Sequence, residues 1–189
     1  GIYGGRVTSG GAVQDVGGFL IAPAPVNGYT GVADVASTGT DYMVVWVSMP
    51  NLPNKDVVAS RVSSSGVVEG TSPIAVSATP ISESGARITS TGSDYIVVWF
   101  ESPPDYSTYD VLGTRLTSQG VVSSSSFSAG TVPLAGNLAL ASRGPNHALL
   151  IYPRSMHEWD AAVPRTFGRF ITEPVPLPSS MRTTEKQVL

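Results

Sequence analysis

The chain has 189 residues, a net charge of −3, 41% hydrophobic residues and only 13% charged ones. That length and apolar share suffice for one ordinary domain with a real core, while the sparse, scattered arginines exclude the basic footprint that a nucleic-acid binder needs. The absence of cysteine removes disulfides, thiolate metal sites and a catalytic thiol, and no run of 18 apolar residues offers a membrane-spanning helix. Lysine occurs only as Lys55 and Lys186. The polar surface must therefore be built from Ser, Thr, Gly and Asn, which suits a secreted β-protein. No signal peptide is visible, so an exported form is expected to be a mature chain or a piece of one.

The first element, IYGGRVTSGGAV at 2–13, returns as VVASRVSSSGVV at 57–68, VLGTRLTSQGVV at 111–122 and, degraded, TFGRFITEPVPL at 166–177. Anchored on arginine, the copies stand at Arg6, Arg61, Arg115 and Arg169, spaced by 55, 54 and 54 residues. The last copy aligns only with a one-residue shift inside the phrase. A second phrase, GTDYMVVW at 39–46, returns as GSDYIVVW at 92–99, which places Tyr42 and Tyr95 53 residues apart. A fainter copy, NHALLIY at 146–152, follows 52 residues later when His147 stands in for the tyrosine. A period of 50–55 residues lies in the range of propellers and solenoids.

Each full unit reads as four short strands. In the 85–133 copy, ARITST is a strand, TGSD a tight turn, YIVVWF a second strand and ESPPDYSTY a loop. DVLGTRLT is the third strand, SQG a second tight turn, and VVSSSSFSAG holds the fourth strand. Val, Ile, Thr, Tyr and Trp fill the strands, and Gly, Asp, Ser and Pro separate them. Gly39, Gly92 and Gly144 supply the positive φ that short hairpins demand. The pattern predicts a partial unit at about 2–25, holding third and fourth strands only, and units at 31–77, 85–133 and 137–178. The polar segment 179–189, after the proline-rich EPVPLP, reads as a linker or extended arm rather than a further unit.

The second strand of a unit is the informative one. In YMVVWV, Tyr42, Val44 and Trp46 point one way and Met43, Val45 and Val47 the other. Both faces are apolar, so both need cover. Four-stranded blades stacked around an axis provide it. The expected architecture is all-β, of β-propeller type, with about three and a half units of 50–55 residues in a domain spanning 1–178.

With these residues in view, the chain resembles tandem repeat proteins of bacterial secreted or surface-attached type, whose units carry a YxVVW strand, a polar loop and a DxxGxR phrase. The matching residues are Tyr42–Trp46 with Asp56, Arg61 and Gly66, and Tyr95–Trp99 with Asp110, Gly113, Arg115 and Gly120. The resemblance covers most of 2–178. It implies a β-propeller fold and carries no single function with it.

Residues that recur in every unit point to scaffold. Arg61 and Arg115, with Asp41 and Asp94, are expected to pair and tie unit to unit, and Trp46 and Trp99 to fill the core. Function is expected where units differ: the loops 49–55, 101–109 and 153–165, with the connections 24–30, 78–84 and 129–136 beside them. This end gathers Tyr29, Met49, Tyr106, Tyr109, Met156, His157, Glu158, Trp159 and Asp160 as candidate ligand-binding residues, because aromatic side chains at a wet surface suit recognition. His157, Glu158 and Asp160 are nearly consecutive and do not aim at one point, and HEW lacks the second histidine of HExxH. No metal, cofactor or catalytic residue is expected. GxSxG, P-loop and DxDxDG phrases are missing. A glycosidase needs two carboxyls roughly 5–9.5 Å apart, and nothing selects a pair among Glu101, Asp105, Asp110, Glu158 and Asp160. The expected function is an extracellular or cell-surface binding or structural module for protein or glycan, without catalysis; a polysaccharide hydrolase is the alternative. Because the first unit is half a unit, self-association or a companion chain is expected to complete the propeller, with no nucleic acid and no membrane span involved.

Overall fold

The computed structural model describes residues 1–51, 54–105, 107–133, 136–144, 147–158, 161–172 and 186–187; at 51, 153–158, 161–167, 172 and 186–187 it describes the backbone alone. Every regular element among them is a strand: β1 (Ile2–Gly4), β2 (Phe19–Ala22), β3 (Tyr29–Ser37), β4 (Asp41–Asn51), β5 (Asn54–Ser63), β6 (Val68–Ser77), β7 (Ser82–Ser90), β8 (Asp94–Ser102), β9 (Tyr109–Thr117), β10 (Val122–Val132), β11 (Ala139–Ser142), β12 (His147–Glu158), β13 (Ala161–Thr172) and β14 (Lys186–Gln187). They form four antiparallel sheets in chain order. Sheet I is β1–β2, and sheets II (β3–β6), III (β7–β10) and IV (β11–β14) are four-stranded meanders.

The repeat is reproduced in the hydrogen-bond register. Met43 faces Arg61 across β4–β5, and Ile96 faces Arg115 across β8–β9. Gly39 and Gly92 open the corresponding hairpins with φ of 102° and 103°, and nothing lies near the space a Cβ would occupy. The requirement there is conformational rather than steric.

The double-faced second strand decides how the sheets stack. Met43, Val45 and Val47 of β4 meet Tyr95, Val97 and Trp99 of β8 in one core. The opposite β8 residues, Ile96, Val98 and Phe100, meet Ala148, Leu150 and Tyr152 of β12 in a second. On the other side of β4, Val44 and Trp46 meet Ile2 and Ala22 of sheet I. β8 is thus enclosed on both faces by its neighbours in the chain, and β4 on one face fully and on the other in part. The first strands also touch from sheet to sheet: the Ile88 N–H of β7 donates to Asp34 Oδ2 of β3 (3.0 Å), and Arg87 Nε donates to the Leu138 carbonyl just before β11 (3.0 Å).

The third full unit departs from the sequence expectation in three ways. First, the residues that face sheet III are Ala148, Leu150 and Tyr152, so Ala148, not His147, occupies the tyrosine position, 53 residues after Tyr95. His147 stands where the other units carry Asp41 and Asp94. In the same register Phe170, opposite Leu149, takes the arginine position, and Arg169 instead donates to the Ser128 carbonyl of sheet III (3.3 Å). Matching histidine to tyrosine by shape had moved the alignment by one residue, which in a strand reverses every side chain.

Second, 153–158 and 161–165 are strand: β12 and β13 continue pairing out to Glu158↔Ala161, because ladder bonds use backbone groups irrespective of side-chain pattern. Third, the tail is not outside the sheets. Lys186–Gln187 pair with Gly168 and Phe167 as the fourth strand of sheet IV.

Trp99 is buried and its indole N–H has no hydrogen-bond partner. Trp99→Ala is expected to cost about 3–5 kcal/mol through the cavity it leaves. Trp99→Phe, which also removes the unsatisfied donor, should cost only about 1–2 kcal/mol. Urea unfolding monitored by far-ultraviolet circular dichroism measures both; equal losses would contradict this packing.

Candidate functional site

The predicted ligand-binding residues do not form one described cluster. Tyr29 opens β3 and is exposed, whereas its cross-strand partner Met49 lies buried in the core between sheets II and III. Met49 is therefore a core residue: β4 runs on to Asn51 and carries it inside. Tyr109 opens β9 and sets its ring edge-on to Phe100, with centroids 6.2 Å apart. Its ring serves the core between sheets III and IV. Met156, His157 and Glu158 lie in β12, opposite Val163, Ala162 and Ala161. Tyr106, Trp159 and Asp160 lie outside the described residues.

The repeated arginines are engaged. Arg61 donates through Nε to Asp41 Oδ2 (3.1 Å) and through NH1 to Gln119 Oε1 (3.1 Å), and it forms an ion pair with Glu69 (2.7 Å). Arg115 pairs with Asp94 (3.3 Å). These acid–arginine pairs join neighbouring strands of one sheet, so they do not themselves link unit to unit as expected. The link to the next unit comes from the far end of the guanidinium. Arg61 reaches Gln119 in the β9–β10 turn, and Arg6 NH1 donates to the Ser64 carbonyl in the β5–β6 turn (3.3 Å). In sheet I no second strand supplies the acid. Asp15, from the β1–β2 connection, takes that place and accepts from Arg6 Nε, NH2 and backbone N at 2.8 Å each. These bonds hold the Asp15 carboxyl down at about 2 and raise Arg6.

A second group of acids surrounds the β6–β7 connection. Glu83 is fully buried. Its Oε1 accepts from Ser77 Oγ (2.8 Å), Thr79 Oγ1 (3.1 Å) and Thr79 N (3.3 Å), while Oε2 has no partner. Directly across the ladder, Glu101 accepts from Thr79 Oγ1 (2.7 Å) and neighbours Asp110 on its other side. Burial pushes the Glu83 carboxyl up, and the charge of Asp56 adds to that; burial also raises Asp56 itself. A carboxyl held towards its protonated form is a possible acid catalyst in chemical terms, but an enclosed one cannot reach a substrate. What Glu83 does here is organise the chain between sheets II and III. Asp105 instead accepts from Ser107 N (3.0 Å), which lowers its pKa. No group of three or more His, Asp or Glu side chains among the described residues is arranged to hold a metal.

The clearest concavity lies elsewhere, between sheets I and II. It encloses about 420 Å³ and is lined by Ile2, Phe19, Ile21, Val35, Tyr42 and Val44, with Arg6 and Asp34 at its polar positions. Its apolar walls are exposed for a specific reason. Val35 and Tyr42 occupy the positions of Ile88 and Tyr95 one unit later. Ile88 is 4% and Tyr95 1% exposed, whereas Val35 is 54% and Tyr42 39% exposed. Sheet I has two strands, whereas sheet II, which covers Ile88 and Tyr95, has four. Sequence reasoning looked for a site only among variable loops; the signal for the groove was Tyr42, apolar on a face that sheet I covers only in part.

No protein-family model, curated protein or solved structure matches this chain. The likeness to bacterial repeat proteins rests on the repeated residues alone.

Glu83→Gln tests the buried acid. A folded-state pKa above the unfolded one means that the folded protein binds the proton more tightly. Stability therefore falls as pH rises from the ordinary glutamate pKa through the raised folded value. Replacing Glu83 by Gln should remove that part of the decline, with stability at neutral pH changed by no more than about 1 kcal/mol or improved. Asp56, of the same sign, remains in the variant. Asp15 acts oppositely and at lower pH, its contribution being lost as pH falls towards 2. Superimposable pH–stability curves for the two proteins would exclude a strained Glu83.

Proposed function

We propose that this chain is a propeller-type repeat domain serving as a non-catalytic binding or structural module outside the cell or on its surface, and that it engages a protein through the groove between sheets I and II. The observation that carries the reading is the open apolar face of sheet II, where Val35 and Tyr42 are exposed at positions that sheet III buries. A concave apolar surface with a few polar groups at its rim suits binding. In-order stacking of meander sheets and contact between successive first strands support the propeller-type reading. The charge-poor, Ser/Thr/Gly-rich composition and the repeat resemblance support the extracellular one. Binding is favoured over polysaccharide hydrolysis by how the described carboxyls are used: Glu83 is enclosed, and Asp15, Asp41 and Asp94 hold arginines. The variable-loop end remains part of the proposal as a second contact surface for protein or glycan.

An environment-sensitive apolar dye such as bis-ANS tests the groove. The folded protein should bind it, and Val35→Asp should lower the fluorescence several-fold. Val16→Asp, at a position 91% exposed and outside the groove, should leave it unchanged. Equal fluorescence from all three proteins would defeat the reading.

A further inference from the structure

We propose that the open face of sheet II, together with the free edge of β1, is a docking site for a β-hairpin of this repeat's own first-and-second-strand type. The inference rests on the protein-binding reading above and names the partner's chemistry.

Three observations converge on that occupant. The first is the edge. β1 carries the third-strand phrase, and its counterparts β5 and β9 are hydrogen-bonded on both sides, β5 to β4 and β6, β9 to β8 and β10. β1 bonds β2 alone. Its other edge presents the backbone groups to which a second strand would add.

The second observation is the face. Ile88 and Tyr95 of sheet III are buried beneath sheet II, where β3, β4 and β5 pack on β7. Of these strands β5 has its counterpart in β1, so the cover that sheet I lacks is a hairpin of a first strand and a second strand apolar on both faces. The same element, placed one unit earlier, would hide Val35 and Tyr42 and pair with β1 in a single rigid-body position.

The third observation is charge. In sheets II and III the residue that opens the second strand is an acid, Asp41 or Asp94, which meets the arginine of the third strand. The arginine of sheet I, Arg6, lines the groove and is held by Asp15, a substitute drawn from a connecting segment. An incoming hairpin with an acid at the head of its second strand would meet Arg6 in the register the other sheets show.

A second copy of this chain is the poorer occupant. Its sheet I also consists of third and fourth strands, so two such half-sheets duplicate each other instead of completing a unit. Its own hairpins β3–β4, β7–β8 and β11–β12 are already built into four-stranded sheets. A hairpin that is not already built into a sheet needs no such rupture.

The probe is a fluorescein-labelled synthetic peptide of residues 82–102, the β7–β8 hairpin, titrated into the 189-residue protein and followed by anisotropy. Saturable binding at roughly micromolar concentration is expected. Binding should weaken at least about tenfold with Val35→Asp and with a peptide carrying Val98→Asp, whose counterpart Val45 faces the next sheet, and a few-fold with a peptide carrying Asp94→Asn. It should be unchanged by Val16→Asp. Amide shift changes in the unmodified protein should concentrate at Ile2–Gly4, Ala33–Val35 and Tyr42–Val44, so the result stands even where Val35→Asp fails to fold. No saturable binding up to about 100 µM peptide, or binding indifferent to Val35→Asp in a folded variant, overturns the proposal. If bis-ANS still reports the groove, the protein-binding reading survives that failure; if it does not, both fall. A micromolar dimer of the protein abolished by Val35→Asp would also overturn it, in favour of a second copy as the occupant.

Discussion

The structure depends on one constraint: a second strand that is apolar on both faces cannot be left against water on either. In β8 six consecutive positions, Tyr95 to Phe100, are divided between two cores, and in β4 five, with Met43, Val45 and Val47 against one neighbour and Val44 and Trp46 against the other. A meander sheet with such a strand inside it cannot stand alone. It requires a sheet before it and a sheet after it, and the order of stacking follows the chain because successive units are the nearest available cover. The aligned first strands, and the arginines that reach forward to the turn of the next unit, are consequences of that stacking.

The same constraint explains why the site lies at the junction of sheets I and II. Where a unit has a full predecessor, its Tyr–Val–Trp face disappears into a core. Sheet II has only two strands ahead of it, enough to bury Trp46 and Val44 but not Tyr42 or Val35. The partial cover leaves a groove instead of a flat apolar face. Asp15 fits this picture, since the β1–β2 connection folds back to neutralise Arg6, whose counterparts Arg61 and Arg115 pair with an acid of the neighbouring second strand.

The unit-to-unit differences also follow from local chemistry. Sheets II and III retain the acid–arginine pair, and sheet IV has His147 and Phe170 in those positions. Such partly exposed pairs contribute modestly, so a unit can lose one without losing its place in the stack. The apolar alternation of the second strand is kept in sheet IV, through Ala148, Leu150 and Tyr152. Glu83 shows another local solution. A connection between two stacked sheets carries polar backbone into a buried region, and one carboxyl answers both Ser77 and Thr79.

Much of this was determined by the sequence itself. The repeat, the all-β class, the four-strand unit and the two-faced second strand all follow from side-chain alternation and turn residues, which are local properties read at short range. Gly39 and Gly92 announce their hairpins because so few residues tolerate their φ. Only the tertiary structure decided the register of the third unit, the strand character of 153–158 and 161–165, the burial of Met49 and the recruitment of Lys186–Gln187 as an edge strand. Each of those depends on which backbone groups find partners across the sheet, and backbone pairing leaves no mark in side-chain type. The groove belongs to the same class. Tyr42 and Tyr95 are written almost identically in the chain, and whether such a face is core or surface is settled by what happens to be packed against it.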